Sequence, residues 1–218
     1  MVTAYGQARR SGQKKQVGEE RGEGRREAAR LEAFSDGVMA VIITIMAFGL
    51  TVPKNTTWQA VSHALPSLLV YVLSFALIGI YWNNHHHLLR ATERISGAVM
   101  WANLHLLFWL SLIPVATKWV GEAHDESLPA SVYGTASLGA GVAYMVLVLM
   151  IIRVNGRESS VARAIGGDTK GRLSICLSAA GVGLAWLSPW IAYSLYAAVA
   201  LLWFVPDRRL SSRETARD

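Results

Sequence analysis

The sequence predicts an all-α membrane protein, a six-transmembrane-helix bundle with both N- and C-termini cytoplasmic. Three observations predict it. Hydrophobic residues make up 52% of the chain and charged ones only 17%, with a mean hydropathy of +0.31. Soluble domains average about 45–50% apolar and about 25% charged. The charges are also segregated into tails and short connections, which leaves six long apolar blocks. Finally, the basic residues alternate with the blocks. With six spans, every Lys and Arg except Lys54 and Lys118 falls in the cytoplasmic segments 1–30, 83–97, 153–172 and 206–218, as the positive-inside rule requires. A five-span bundle would put the basic C-terminal tail outside.

Taken in order, residues 1–29 are polar and rich in Gly, Arg and Glu, with no apolar signal-peptide core. Such a composition buries little apolar surface, so a disordered basic cytoplasmic tail is expected, its charge serving topology rather than nucleic acid. The first apolar block covers about 31–52 and is ended by Pro53 and Asn55. The second runs from Val61 to Trp82, with Pro66 in its first turns, where a missing N–H is tolerated. A polar connection, 83–97, carries His85, His86 and His87. The third block is 98–120. An acidic loop with Glu122, Asp125 and Glu126 precedes the fourth, 129–152. After the charged loop 153–172 come a fifth block, 173–187, and a sixth, 190–205, separated by Ser188-Pro189. Residues 207–218 form a charged C-terminal tail. Thr135, Gly139 and Ala143 repeat at four-residue spacing, which predicts close helix packing. Trp58, Trp82, Trp119, Trp190 and Trp203 stand near span ends, as an interfacial belt would place them. The single Cys176 reads as a buried small hydrophobe.

The polar residues inside the spans carry the functional question. From Gly37 to Leu50 the first block is apolar apart from Thr44, about 21 Å of helix at ~1.5 Å per residue. A bilayer core needs about 30 Å, so Ser35 and Asp36 lie in or at the edge of the hydrocarbon. A carboxylate there marks function by default. Asn83, Asn84, the His85–His87 run, Asn103 and His105 fall at a similar depth. The expected arrangement is a hydrogen-bonded network joining the first three helices, with Asp36 as its acceptor. Arg30, six residues from Asp36, lies on the wrong face for a direct pair. His and carboxylate together suit a metal, but adjacent His residues diverge around a helix, so no metal site is expected. Adjacent Ser35 and Asp36 diverge for the same reason, which argues against a nucleophilic enzyme. Histidines that titrate near neutrality leave open a proton-coupled transporter using His85–His87, His105 and Asp36.

Val41, Ile45 and Phe48 fall on one helical stripe, with Thr44 at its margin. Periodicity alone makes this a packing or lipid face; a hydrophobic gate is the sharper alternative. The residues now assembled resemble a known family. Arg30-Leu-Glu-Ala-Phe34-Ser35-Asp36 and the residues through Thr44 match the R-x-x-x-F-S-D signature of the transmembrane protein 175 family, lysosomal potassium channels and their prokaryotic relatives. Trp82 to Arg90 is similar to the end of that family's second helix, and Asn103 to Thr117 to its third. The resemblance implies a potassium-selective cation channel, not an enzyme, of modest selectivity and without a carbonyl filter loop. It implies a channel domain over 30–206, one repeat per chain, and a homotetramer whose central pore is lined by the first helix. It places the hydrophobic constriction on Val41, Ile45 and Phe48 and the selectivity threonine on Thr44. Arg30, Phe34, Ser35, Asp36, His86, His87, Asn103 and His105 become its structural signature network. K+ is the permeant ion, no cofactor is implied, and the location is the plasma membrane. Val41 is smaller, and Phe48 bulkier, than is usual in the family, which leaves the narrowest point open.

Overall fold

The computed structural model describes the backbone of residues 2–50, 53, 56–156, 158–159, 161–162 and 169–204, with side chains from residue 22 to 203 within those segments. It is all helical. Six helices of sixteen residues or more lie among the described residues: α1 (Val2–Phe48), α2 (Trp58–Arg90), α3 (Gly97–Glu122), α4 (Ser127–Asn155), α5 (Thr169–Leu184) and α6 (Pro189–Phe204). By length and composition, α1 from Gly22 onward, α2, α3 and α4 suffice to cross a membrane. The last two helices have 16 residues each, about 24 Å of helix. They are separate helices rather than one kinked rod, divided by a turn at Ala185–Leu187 and by Ser188 before Pro189.

The first helix departs from expectation. It begins at Val2 and runs 47 residues, through the segment expected to be disordered. Ala, Arg, Lys, Gln and Glu are good helix formers, and extending a helix already nucleated by the apolar span needs no second nucleus. Part of the extension also packs. Gly24 is buried where a β-carbon would collide with the Glu93 backbone carbonyl, and Ala28 is buried one turn later.

The second helix is longer as well. It absorbs Asn83 to Arg90, so the α2–α3 connection shrinks to residues 91–96. The polar run is amphipathic rather than a loop: Ile78, His85, Leu88 and Leu89 are all buried. Thr57 caps the start of α2, its hydroxyl accepting from the Ala60 N–H at 3.3 Å. Asn155 at the end of α4 holds the short connection. Its Oδ1 accepts from the Glu93 and Arg94 N–H groups at 3.1 and 2.8 Å, and its Nδ2 donates to the Arg94 carbonyl at 3.1 Å.

The third helix is the centre of the bundle, packing on α1, α2 and most extensively on α4, while α5 and α6 pair with each other against α4. Small residues permit these approaches. Gly139 lies against the Trp109 indole, and Gly134 and Gly181 both lie against the Tyr196 ring. Of the spaced set Thr135, Gly139 and Ala143, the latter two pack inward and Thr135 is exposed. Cys176 is exposed too, contrary to expectation. An apolar membrane segment has no need to bury a thiol, because lipid is as accommodating to it as protein.

Candidate functional site

The first helix presents three faces to three surroundings. Ser35, Met39, Ile42 and Met46 are at most 4% exposed and spaced four, three and four residues apart, a helical stripe packed on the bundle. Phe34, Val41, Ile45 and Phe48 are 51, 56, 55 and 85% exposed and spaced seven, four and three apart. They form a second apolar stripe that the bundle leaves uncovered. Thr44 is exposed beside it, its hydroxyl donating to the Ala40 carbonyl at 2.8 Å. That bond uses the hydroxyl proton and leaves an oxygen lone pair toward the open side. The third face, Glu32 and Asp36, turns to α2.

Ser35 anchors a buried chain of hydrogen bonds across three helices. Its Oγ donates to the Leu31 carbonyl at 2.8 Å and accepts from Asn103 Nδ2 at 2.9 Å. Asn103 Oδ1 lies 2.7 Å from His85 Nε2. An amide oxygen only accepts, so His85 carries its proton on Nε2. Ser35, Asn103 and His85 are all 0% exposed; the chain pairs their facing polar atoms, as burial favours, while His85 Nδ1 has no hydrogen-bond partner among the described residues.

This corrects the expected role of Asp36. Ser35, not the carboxylate, is the acceptor facing α3. One residue further turns the helix by about 100°, which directs Asp36 to α2 instead. There a ligand atom of Asp36 lies within 4.8 Å of those of Glu32 and His86. Glu32 Oε1 is 2.7 Å from His86 Nδ1 and 3.7 Å from Arg90 Nε. The remaining members of the expected network stand apart from both groups. Arg30 and His87 are exposed. Phe34 belongs to the uncovered stripe. His105 is exposed and accepts from Trp109 Nε1 at 2.9 Å. With His87 and His105 outside, the described residues form no continuous His–Asp relay, which removes the main support for a proton-coupled transporter.

One contributor, Glu32, escaped the sequence reading, and His85 was named only as part of the His85–His87 run. Glu32 sits one turn before Asp36, a spacing that signals a shared face. His85 is singled out from its neighbours by falling seven residues after the buried Ile78. A further tie lies nearer the other end of the bundle. Ser74 Oγ is 2.7 Å from Thr117 Oγ1 and 3.2 Å from the Tyr133 hydroxyl, and Thr117 Oγ1 is 3.8 Å from Met46 Sδ. It joins α1, α2, α3 and α4 through polar groups.

Comparison with known proteins agrees with this architecture. Residues 30–114 match the family model described as endosomal/lysosomal potassium channel TMEM175. The chain is 45% identical over 181 residues to a potassium channel of Chryseobacterium sp., covering 83% of this chain and 94% of that one. It is 30% identical over 207 residues to a potassium channel of Streptomyces collinus, covering 87% and 98%. Its fold is similar to the crystal structure of a lysosomal potassium-selective channel TMEM175 homolog from Chamaesiphon minutus. The TM-score is 0.70 at 26% identity, with 82% of this chain and 97% of that chain covered.

Proposed function

Because this chain belongs to the TMEM175 family, we propose that it is a potassium channel of the plasma membrane, in which four copies surround a pore lined by α1. Both termini are cytoplasmic in this reading, as the distribution of basic residues favours. The observation that carries it is the uncovered stripe of Phe34, Val41, Ile45 and Phe48 on a helix whose opposite stripe is fully buried. A lipid-facing helix needs only apolar residues; the adjacent Thr44 oxygen is unneeded there and useful in a pore.

In the tetramer, Val41, Ile45 and Phe48 from four copies form successive apolar rings. Such rings hold back ions by excluding water when narrow. Four Thr44 hydroxyl oxygens replace part of the hydration shell of K+ when the pore widens, which gives modest selectivity without a loop of carbonyls. The Ser35–Asn103–His85 chain keeps α1 in register against α2 and α3, so that these side chains hold a common height. Ion flux is the test: purified protein in liposomes under a potassium gradient should pass K+ passively and without saturation. A folded tetramer that passes no ions would overturn the proposal.

A further inference from the structure

We propose that Glu32, Asp36 and His86 form a binding site for a divalent cation of the zinc class, which clamps α1 to α2. The site goes beyond the channel reading and does not depend on it. Its three donors are two carboxylates and one imidazole, a set suited to Zn2+, Co2+ or Mn2+ rather than to an alkali ion. Glu32 and Asp36 are four residues apart and share one face of α1, and His86 comes from the facing turn of α2. One ligand atom from each lies within 4.8 Å of the others.

Of the four buried side-chain atoms without a hydrogen-bond partner among the described residues (the others are His85 Nδ1 and Ser137 Oγ), two lie in this cluster. Asp36 Oδ1 and His86 Nδ1 are both inaccessible to solvent, and neither has a hydrogen-bond partner. His86 Nδ1 is 2.7 Å from Glu32 Oε1, an ion-pair contact only when the imidazole is protonated, whereas Asp36 Oδ1 has no such contact. Inaccessible polar atoms without partners are costly. A single cation between the two helices would satisfy both atoms and neutralise charge at the same time. The competing cation is weak: Arg90 approaches Glu32 at 3.7 Å with its side chain 69% exposed, and solvent-exposed pairs of this kind contribute little. The neighbouring histidines do not belong to the site. His85 is bound through Nε2 to Asn103 and its ring nitrogens fall outside the group of ligand atoms, and His87 is exposed.

The test uses full-length protein without a polyhistidine tag, metal-stripped in detergent and titrated with Co2+ and Zn2+ alone. Co2+ should give visible absorption bands saturating at about one ion per chain and displaced by Zn2+. Zn2+ should raise the thermal unfolding midpoint by a few degrees, as any ligand of the native state does. Glu32→Gln and His86→Ala should each weaken Co2+ binding at least tenfold, whereas His87→Ala should leave it unchanged. Glu32→Gln preserves shape, so it decides the matter even where His86→Ala fails to fold. No Co2+ bands in the unaltered protein, retained affinity in Glu32→Gln, or equal loss in His87→Ala would each overturn the site. None of these readouts uses ion flux, so failure here is distinct from failure of the channel reading.

Discussion

Asn103 donates to Ser35 at 2.9 Å across 68 positions of sequence, both residues fully buried. This bond binds α1 to the centre of the bundle, and the same amide holds His85 through its oxygen. One side chain thus sets the relative position of three helices.

Replacing that amide should be expensive. Asn103→Leu leaves His85 Nε2 buried without its partner, at about 1–3 kcal/mol, and takes from Ser35 the bond it accepts, leaving only its donation to the Leu31 carbonyl. The expected outcome is a lower thermal midpoint and partial loss of the proposed tetramer, read by size-exclusion chromatography after heating. Ser35→Ala, which strands only the Asn103 amide, should cost less.

Thr44→Ala removes an exposed hydroxyl whose only intramolecular bond is to its own helix. Folding should be unaffected. The potassium-to-sodium permeability ratio should fall, measured as a shift of reversal potential under mixed ionic conditions. An unchanged reversal potential would refute a role for Thr44 in selectivity.

Phe48 is 85% exposed, so Phe48→Ala creates no cavity within the chain. If its ring narrows the pore, truncation should raise basal K+ flux several-fold at unchanged thermal stability. Comparing Phe48→Ala with Val41→Ala in the same liposome assay identifies which ring is narrower, since the narrower one gives the larger rise.

Gly139 lies where any β-carbon meets the Trp109 ring. Gly139→Val should push α3 from α4, a strain of about 1–3 kcal/mol for overpacking. The midpoint should drop while Gly22→Ala, where a β-carbon meets open space, leaves it within error or slightly raised. A Gly139→Val protein as stable as the original would show that this contact is not tight.

Much of this molecule was legible before folding was considered. The six helices, and the membrane-crossing length of the first four, follow from long apolar blocks and charges confined between them. Those are properties of each segment's own transfer into lipid. The open stripe of α1 was legible as periodicity, although the pore role proposed for it came from resemblance. The residues at the ends of the spans were misjudged for a common reason. Composition makes residues 2–29 look unstructured and 83–90 look like a polar connection, although likeness to the family's second-helix end pointed to helix there; helix extension and a few buried positions, Ala28, Leu88 and Leu89 among them, keep both segments helical.

What the sequence by itself determined is therefore the kind of protein and the open apolar stripe on its first helix. The partners of individual polar side chains were decided only by the tertiary structure. Ser35 and Asp36 are neighbours with equal claim to a network, and a turn of about 100° sends one to Asn103 and the other to Glu32 and His86. That choice depends on how α2 and α3 are placed around α1, and their placement is set by close approaches at small residues and by rings such as Trp109. It depends on contacts far apart in the chain, so no local pattern of residues records it.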